Sequence, residues 1–411
     1  MSGIDRRTLL QRSALVLGAG GLGAAGKATA AGPRADELPP APQLDLRVPF
    51  NGPHQAGILT PQQDHATFVA LDAVVPGQGD LLQALRDLSA RARSLTQGDA
   101  VGVREDDEPP PDSGILGEDN PPDGLTVTIA FGASLFDDRY GLAAKRPPGL
   151  TAMPNFPNDA IDPARSGGDV LLQVCAWHRD TVVHTIRELQ RTLAGRMMIR
   201  WTLDGFRSAD RGPTPRSATR NLFAFRDGTA NPPVDDRALM DRLVWIPRSA
   251  GWAGGGTFLV VRTIRMHVEF WDRVGMREQQ AMIGRYRVSG APLGGTDEFE
   301  DPRFDLDPKG ERIALDSHIR LANPRTPGTA DQRILRRGYN FHRGVDGAGN
   351  LDQGLIFVAF NQDIERQFAT IQRRLAEEPM VDYITTVGGG YFLAPAGARD
   401  DGDWIGSGLA A

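Results

Sequence analysis

The sequence predicts an α+β protein built from two related halves. Strand-like and helix-like patterns alternate along most of its 411 residues, and the alternation over 66–194 recurs loosely over 257–377. A stretch rich in proline, glycine and arginine, 211–235, lies between these two regions. Interleaved strands and helices with a loose repeat are typical of α+β chains, so we expect the joint between the halves near this stretch.

In the first half, the apolar runs predict three buried strands, at 66–75, 125–131 and 169–176. Residues 80–92 place Leu81, Leu85 and Leu88 on one side at helical spacing, which predicts an amphipathic helix. A second amphipathic helix is predicted at 181–194. Each helix therefore has an apolar face with which to cover a sheet.

The second half has the same kinds of pattern. Two runs rich in β-branched and aromatic residues predict strands, at 257–264 and 355–360. Three segments have helical spacing, at 268–274, 278–283 and 364–377. Because the rhythm of the first half returns here, we interpret the chain as an internal duplication.

The N-terminus has the features of an export signal. Arg6-Arg7 stand before a weakly apolar stretch, 13–26, and a small-x-small cleavage pattern follows at 28–30. Paired arginines indicate the twin-arginine route, which carries folded proteins. We therefore predict a signal peptide over 1–30, a flexible leader over 31–45, and a periplasmic or extracellular location.

Composition narrows the function. Hydrophobic residues make up 40% and charged residues 24% of the chain, as in ordinary globular proteins. The net charge of -6, without a dense basic face, gives no support to a nucleic-acid partner. The apolar stretch near the N-terminus is shorter than the ~20 residues of a membrane span, and we expect no span in the mature chain. Cys175 lies in an apolar run, which favours a core position over thiolate ligation of a metal.

Two segments carry residues suited to proton transfer or to binding anions. Asp227 lies in a turn-like segment, 220–232, where it is either a turn residue or a proton acceptor at the mouth of a pocket. Arg336 and Arg337 are adjacent in 334–341, where they form either a surface cluster or a pair of cationic donors.

A third segment, 316–325, contains His318, whose imidazole would suit iron as an axial ligand. The residues alone do not single it out, because the chain has six other histidines. These are His54, His65, His178, His184, His267 and His342.

Taken together, these segments resemble the dye-decolourising peroxidases, most closely their deferrochelatase/peroxidase subgroup. The resemblance begins at 49–63, continues through 156–159 and 168–173, and ends at 387–392. The family's GxxDG motif reads Ala224-Phe225-Arg226-Asp227-Gly228, so alanine replaces its first glycine. Because alanine tolerates positive φ poorly, the substitution affects the local backbone, but it leaves the carboxylate of Asp227 in place.

The resemblance implies roles for individual residues. His318 matches the proximal haem ligand, Asp227 the distal acid-base residue, and Arg336 the distal arginine, with Arg337 the weaker candidate. Residues that match haem-lining segments are Gly228, Thr229, Ala230, Asn323, Pro324 and Arg325. Arg325 is a candidate partner of a haem propionate, and Asp382 a candidate carboxylate behind the histidine.

The resemblance also implies the fold. We expect two ferredoxin-like halves with antiparallel sheets and peripheral helices, of the dimeric α+β barrel type. The N-terminal half would span 46–215 and the C-terminal half 216–411. One haem b per chain would be held largely by the C-terminal half.

The activity that the resemblance implies is oxidation of dye-like or phenolic one-electron donors by hydrogen peroxide, in connection with iron uptake. One alternative is a deferrochelatase, which takes haem as its substrate and releases the iron with the porphyrin intact. Another is a non-catalytic haem-binding partner of an iron permease. We also expect a homo-oligomer.

Overall fold

In the computed structural model, one antiparallel sheet closes on itself into a barrel. The structure describes residues 44–98, 107–117, 119–209 and 218–410. The predicted signal peptide, the leader up to residue 43 and part of the predicted joint lie outside these residues.

The described residues contain nine strands and seven α-helices. The strands are β1 (His65–Ala73), β2 (Thr126–Gly132), β3 (Val170–Ala176), β4 (Met197–Phe206), β5 (Thr257–Met266), β6 (Leu335–Arg336), β7 (Tyr339–Val345), β8 (Leu351–Asn361) and β9 (Ile384–Ala394). The helices are α1 (Gln78–Gln97), α2 (Arg179–Thr192), α3 (Arg237–Leu243), α4 (Val268–Trp271), α5 (Met276–Ile283), α6 (His318–Ala322) and α7 (Thr370–Arg374).

Each half has the ferredoxin-like arrangement that the resemblance implied. The N-terminal half runs β1-α1-β2-β3-α2-β4 along the chain and β2-β3-β1-β4 across the sheet. In the C-terminal half the order across the sheet is β9-β5-β8-β7, which is the same order when its four strands are matched to those of the first half. The predicted fold class is therefore confirmed.

Two narrow seams join the halves into a ring of eight strands. At one seam β2 pairs with β9, where Phe131 lies opposite Leu393 and Gly132 opposite Phe392. At the other, β4 pairs with β7 at Phe206 and Asn340. Because the edge strands of one half pair with the edge strands of the other, β2, β4, β7 and β9 are not left as unpaired edges.

Strands β6 and β7 follow one another along the same edge of β8. Leu335 lies opposite Phe360 in β8, and Tyr339 lies opposite Ile356, so both strands have one register against β8. The Arg337 amide donates to the Val358 carbonyl between them. This edge therefore fixes the backbone of Arg336 and Arg337.

The two faces of the sheet are both apolar. One face packs against α1 and α2, which bury Leu81, Leu85, Leu88 and Leu189. The face away from these helices carries side chains from both halves, among them Phe68, Leu171, Trp201, Phe341, Ile356 and Phe392. Cys175 is fully buried on this face, as its apolar surroundings predicted.

The sequence patterns missed strands β4, β7 and β9. Three consecutive glycines, 388–390, hide β9, because glycine has no side chain to show a strand pattern. The helix predicted at 364–377 begins as a π-helical turn, Glu365–Ala369, and ends with α7 at Arg374. Within the described residues, no helix combines the length and apolarity needed to cross a membrane.

We expect Gly132→Ala to destabilise the barrel at the end of β2, where this strand meets β9 and the segment before β3. A Cβ at Gly132 would lie 2.1 Å from the Gly168 carbonyl oxygen, which belongs to the backbone and cannot move aside cheaply. The free energy of unfolding should fall by about 1–3 kcal/mol, as for other overpacking changes, in chemical denaturation.

The matched control is Gly328→Ala, because a Cβ there has open space around it. Equal stability of the two variants would show that the end of β2 tolerates a side chain.

Candidate active site

A large cavity lies in the C-terminal half. Residues of strands β5, β8 and β9 and of helices α5, α6 and α7 line it. Its empty volume is about 1580 Å³ with the open mouth and the solvent there included. Much of the wall is apolar, with Phe223, Ile264, Leu355, Phe357, Phe368 and Ile384 among its residues. These walls suit an apolar ligand.

His318 is the first residue of α6 and its ring lines this cavity. Its Nδ1 lies 2.7 Å from Oε2 of Glu378, whose side chain is only 3% exposed. Since a carboxylate accepts hydrogen bonds, Nδ1 carries the proton and Nε2 keeps its lone pair for a metal. Burial alone would lower the pKa of His318, but the Glu378 carboxylate outweighs burial and raises it.

The prediction that Asp382 lies behind the histidine is wrong. Asp382 is exposed, and Glu378 occupies the position that was assigned to it. Glu378 precedes Pro379, whose ring favours an extended backbone in the residue before it, and Glu378 has φ -66° and ψ 149°. No spacing rule links residues 318 and 378, so the sequence carried no signal for this pair.

Asp227 and Arg336 meet in the same cavity. Arg336 Nη1 lies 2.7 Å from Asp227 Oδ1, and both side chains are about a quarter exposed. Within the described residues, Asp227 Oδ2 has no hydrogen-bond partner. One carboxylate oxygen is therefore fixed by the guanidinium, and the other is free to accept a proton.

Asn231 ties the loop of Asp227 to the strand of Arg336. The Arg336 amide donates to Asn231 Oδ1 at 3.1 Å, and Asn231 Nδ2 donates to the Arg336 carbonyl at 2.8 Å. Asn231 also closes a turn with the carbonyl of Gly228, at 2.9 Å. Asn231 was not among the predicted site residues, although its place in a Gly-Thr-Ala-Asn turn marks it as a turn residue.

Arg337 points away from this cavity, because successive side chains of a strand face opposite sides. It is 5% exposed and donates to the Thr60 carbonyl and to Gln63 Oε1. Arg337 thus fastens the segment before β1 to the strand that carries Arg336. The preference for Arg336 over Arg337 as the residue near Asp227 agrees with this geometry.

The altered motif position adopts the conformation that glycine favours. Ala224 has φ 65°, in the left-handed region, and its carbonyl accepts from Arg220 Nη1 at 2.6 Å. Gly228, the retained glycine, has φ 106°. The loop therefore keeps its shape despite the alanine, at a local conformational cost.

The remaining predicted haem-lining residues divide into two groups. Thr229, Ala230, Asn323 and Arg325 line the cavity, whereas Gly228 and Pro324 lie next to lining residues without contributing to the wall. Arg325 contacts a carboxylate only at 3.4 Å, that of the exposed Asp301.

Arg333, which no sequence pattern singled out, also lies in the cavity wall. Over residues 44–410 as far as they are described, the Arg333 guanidinium has no hydrogen bond and no ion pair. Burial, and then the neighbouring Arg325 and Arg242, lower its pKa. Arg333 is thus a cation without an anionic partner among the described residues, and Arg325 has an ion pair with the exposed Asp301.

The donors present fit haem better than a bare metal ion. Among the described residues, no three His, Cys, Asp or Glu side chains come together to hold an ion. A single histidine with a carboxylate behind it is too little for a protein-bound ion, but it suffices for an iron already held by a porphyrin. The apolar walls match the macrocycle, and Arg325 and Arg333 match carboxylate side arms.

Comparison with known proteins agrees with this geometry. Residues 55–207 match the family model described as Dyp-type peroxidase, N-terminal, and residues 218–399 match Dyp-type peroxidase, C-terminal. The chain belongs to the Dyp-type peroxidase family. It is therefore an enzyme of a haem-binding family.

Individual relatives support the same assignment. A deferrochelatase of Escherichia coli strain K12 is 45% identical over 368 residues, covering 88% of this chain and 87% of the relative. A deferrochelatase of Yersinia pseudotuberculosis is 41% identical over 412 residues, covering 98% and 94%.

Solved structures of the family have the same fold. Ferric DtpA from Streptomyces lividans superimposes with a TM-score of 0.82 at 32% identity, over 91% of this chain and 100% of that one. The Dyp-type peroxidase from Cellulomonas bogoriensis gives 0.79 at 34% identity, over 89% and 98%.

We expect Ala224→Gly to stabilise the protein. A residue with a Cβ in the left-handed region is about 1–2 kcal/mol less favourable than glycine, while glycine makes the unfolded chain more flexible. The net gain in unfolding free energy should be about 0.5–1 kcal/mol, measured by chemical denaturation of the protein without haem. A loss of stability would mean that the alanine methyl group contributes packing that outweighs its strain.

We expect Glu378→Gln to raise the reduction potential of the haem iron. The carboxylate makes the imidazole a stronger donor, which favours ferric iron, and a carboxamide does this less. The measurement is a spectroelectrochemical titration of the haem-loaded protein. Asp382→Asn is the control, and a shift with that variant but not with Glu378→Gln would restore Asp382 as the partner of the histidine.

Proposed function

We propose that this protein is a haem b peroxidase that uses hydrogen peroxide to oxidise dye-like or phenolic one-electron donors. The observation that carries the proposal is the contact of Asp227 with Arg336, at 2.7 Å, in the cavity that also holds His318. An acid-base group, a fixed cation and an imidazole with a free nitrogen are the set that peroxide cleavage on haem requires.

When bound, haem supplies the redox chemistry, because it accepts the two oxidising equivalents that hydrogen peroxide carries. His318 would hold the iron through Nε2, while Glu378 keeps the ring oriented and electron-rich. Arg325 and Arg333 would bind the propionates.

The proton would travel through Asp227. Oδ2, which has no partner among the described residues, would take a proton from one oxygen of hydrogen peroxide and return it to the other, which leaves as water. Arg336 holds Oδ1, so the carboxylate keeps its orientation during both transfers. The guanidinium also offers a fixed positive charge to the oxygen that leaves as water.

Asp227→Asn should keep haem but lose peroxide turnover. The carboxamide has nearly the same shape but cannot take up the proton, and such groups contribute about 10²–10⁴-fold to a rate. The Soret band should be unchanged, while steady-state oxidation of a dye falls by that factor.

The control is Asp235→Asn, in an exposed part of the same loop. Wild-type turnover by Asp227→Asn would refute the proton-transfer role.

A second candidate function is deferrochelation, the release of iron from haem with an intact porphyrin. It is favoured by two relatives named deferrochelatase, at 45% and 41% identity. Incubation of the purified protein with haem, followed by fluorescence of free protoporphyrin, tests it. Protoporphyrin formed without peroxide would identify this activity, and its absence would leave the peroxidase alone.

The cellular setting is part of the proposal. Arg6-Arg7 and the cleavage pattern at 28–30 support twin-arginine export to the periplasm or beyond. The likeness to deferrochelatases supports a link to iron uptake, with an iron permease as the partner. A homo-oligomer is proposed from the family resemblance. Cell fractionation and sedimentation of the purified protein test these points.

A further inference from the structure

The segment between α5 and α6 wraps the loop that carries Asp227. Arg220, at the start of that loop, donates to the carbonyls of Arg287 and Val288 as well as to that of Ala224. Gly290 lies against the stem of Arg226, where a Cβ would come within 2.7 Å of Cδ. The loop and the segment are therefore packed as one unit.

Within this unit, the carboxylate of Glu298 reaches both sides of Asp227. Its Oε2 forms an ion pair at 3.1 Å with Nε of Arg226, the residue before Asp227, without the geometry of a hydrogen bond. Its Oε1 accepts from Thr229 Oγ1, two residues after Asp227, at 2.9 Å. The same oxygen accepts from the Ala218 amide at 2.9 Å, and Arg226 Nη1 donates to the Ala218 carbonyl at 2.7 Å.

Glu298 is itself held rigidly. Arg285 donates from Nη1 to the carbonyl of Glu298 at 2.8 Å and to that of Gly290 at 2.6 Å. The side chains of Glu298 and Arg226 are 5% and 4% exposed, so water does not compete for their contacts. An ion pair this deeply buried contributes little net free energy to folding, because removing both charges from water is costly. Its role is then to hold the loop of Asp227 in one conformation.

We infer that Glu298 is a positioning residue for Asp227. It fixes the residues on both sides of Asp227 and thereby the direction of the carboxylate toward Arg336 and the cavity. Glu298 does not line the cavity, so it acts only through its neighbours. The inference rests on the proposed role of Asp227 in proton transfer.

The test compares the rates at which haem-loaded variants react with hydrogen peroxide, followed by stopped-flow absorbance. Glu298→Ala should slow the reaction about 10- to 100-fold, because small misplacement of a catalytic group costs up to ~10²-fold. Glu298→Gln should lose less, since its carboxamide oxygen still accepts from Thr229 and Ala218. It also serves if the alanine variant does not fold. Neither variant should change the Soret band or the reduction potential, which report on the His318 side.

A double-mutant cycle separates positioning from general damage. In an Asp227→Asn background, Glu298→Ala should cause no further slowing, since there is no proton carrier left to misplace. The matched control is Glu188→Gln, which breaks a buried contact with Arg91 in the N-terminal half and should leave the peroxide reaction unchanged.

Three outcomes are decisive. If both Glu298 variants react at the wild-type rate while Asp227→Asn is slow, the positioning role is refuted and the proposed function stands. If the rate of the double variant is lowered by the product of the factors found for Glu298→Ala and Asp227→Asn alone, Glu298 does not act through Asp227. If Asp227→Asn itself reacts at the wild-type rate, the proton-transfer role of Asp227 is refuted, and with it the inference that rests on that role.

Discussion

The antiparallel ladder between β8 and the edge formed by β6 and β7 constrains both the barrel and the cavity. Its single register places Arg336 and Arg337 on opposite faces of the sheet. One arginine reaches Asp227, and the other reaches back to Gln63 and the segment before β1. Further along the same edge, Asn340 pairs with β4 and joins the halves. A slip of one residue would exchange the two arginines and disturb the seam at once.

The charged groups of the cavity differ in whether another residue holds them in place. Each group proposed to act on iron or peroxide has a partner that fixes it: Glu378 for His318, and Arg336 for Asp227. Arg333, in contrast, has no partner within the described residues, and Arg325 has only a distant, exposed one. Paired groups keep their orientation, whereas Arg333 and the exposed, longer pair of Arg325 leave positive charge available to an anionic ligand. The site therefore combines catalytic groups held in one orientation with positive charge that can bind an anionic molecule.

Much of the fold could be predicted because strands and helices leave periodic patterns of apolar residues. β9 escaped because glycines interrupt its pattern, although the same glycines contributed to the family resemblance. The resemblance placed His318, Asp227 and Arg336, and the structure brings them to one cavity. Glu378, Asn231 and Glu298 were missed because their partners lie far away in the chain, and Arg333 was missed because most other residues of the cavity wall do. Contacts across such separations depend on tertiary packing, which no local pattern encodes.

The narrow seams also decide how the molecule is assembled. A C-terminal half alone would present β7 and β9 as two unpaired edges, although it contains every residue proposed to touch haem. Exposed edges of this kind recruit other chains, so an isolated half would aggregate rather than serve as a miniature enzyme. A working haem site would therefore require both halves, because the N-terminal half covers the two strand edges of the half that binds haem.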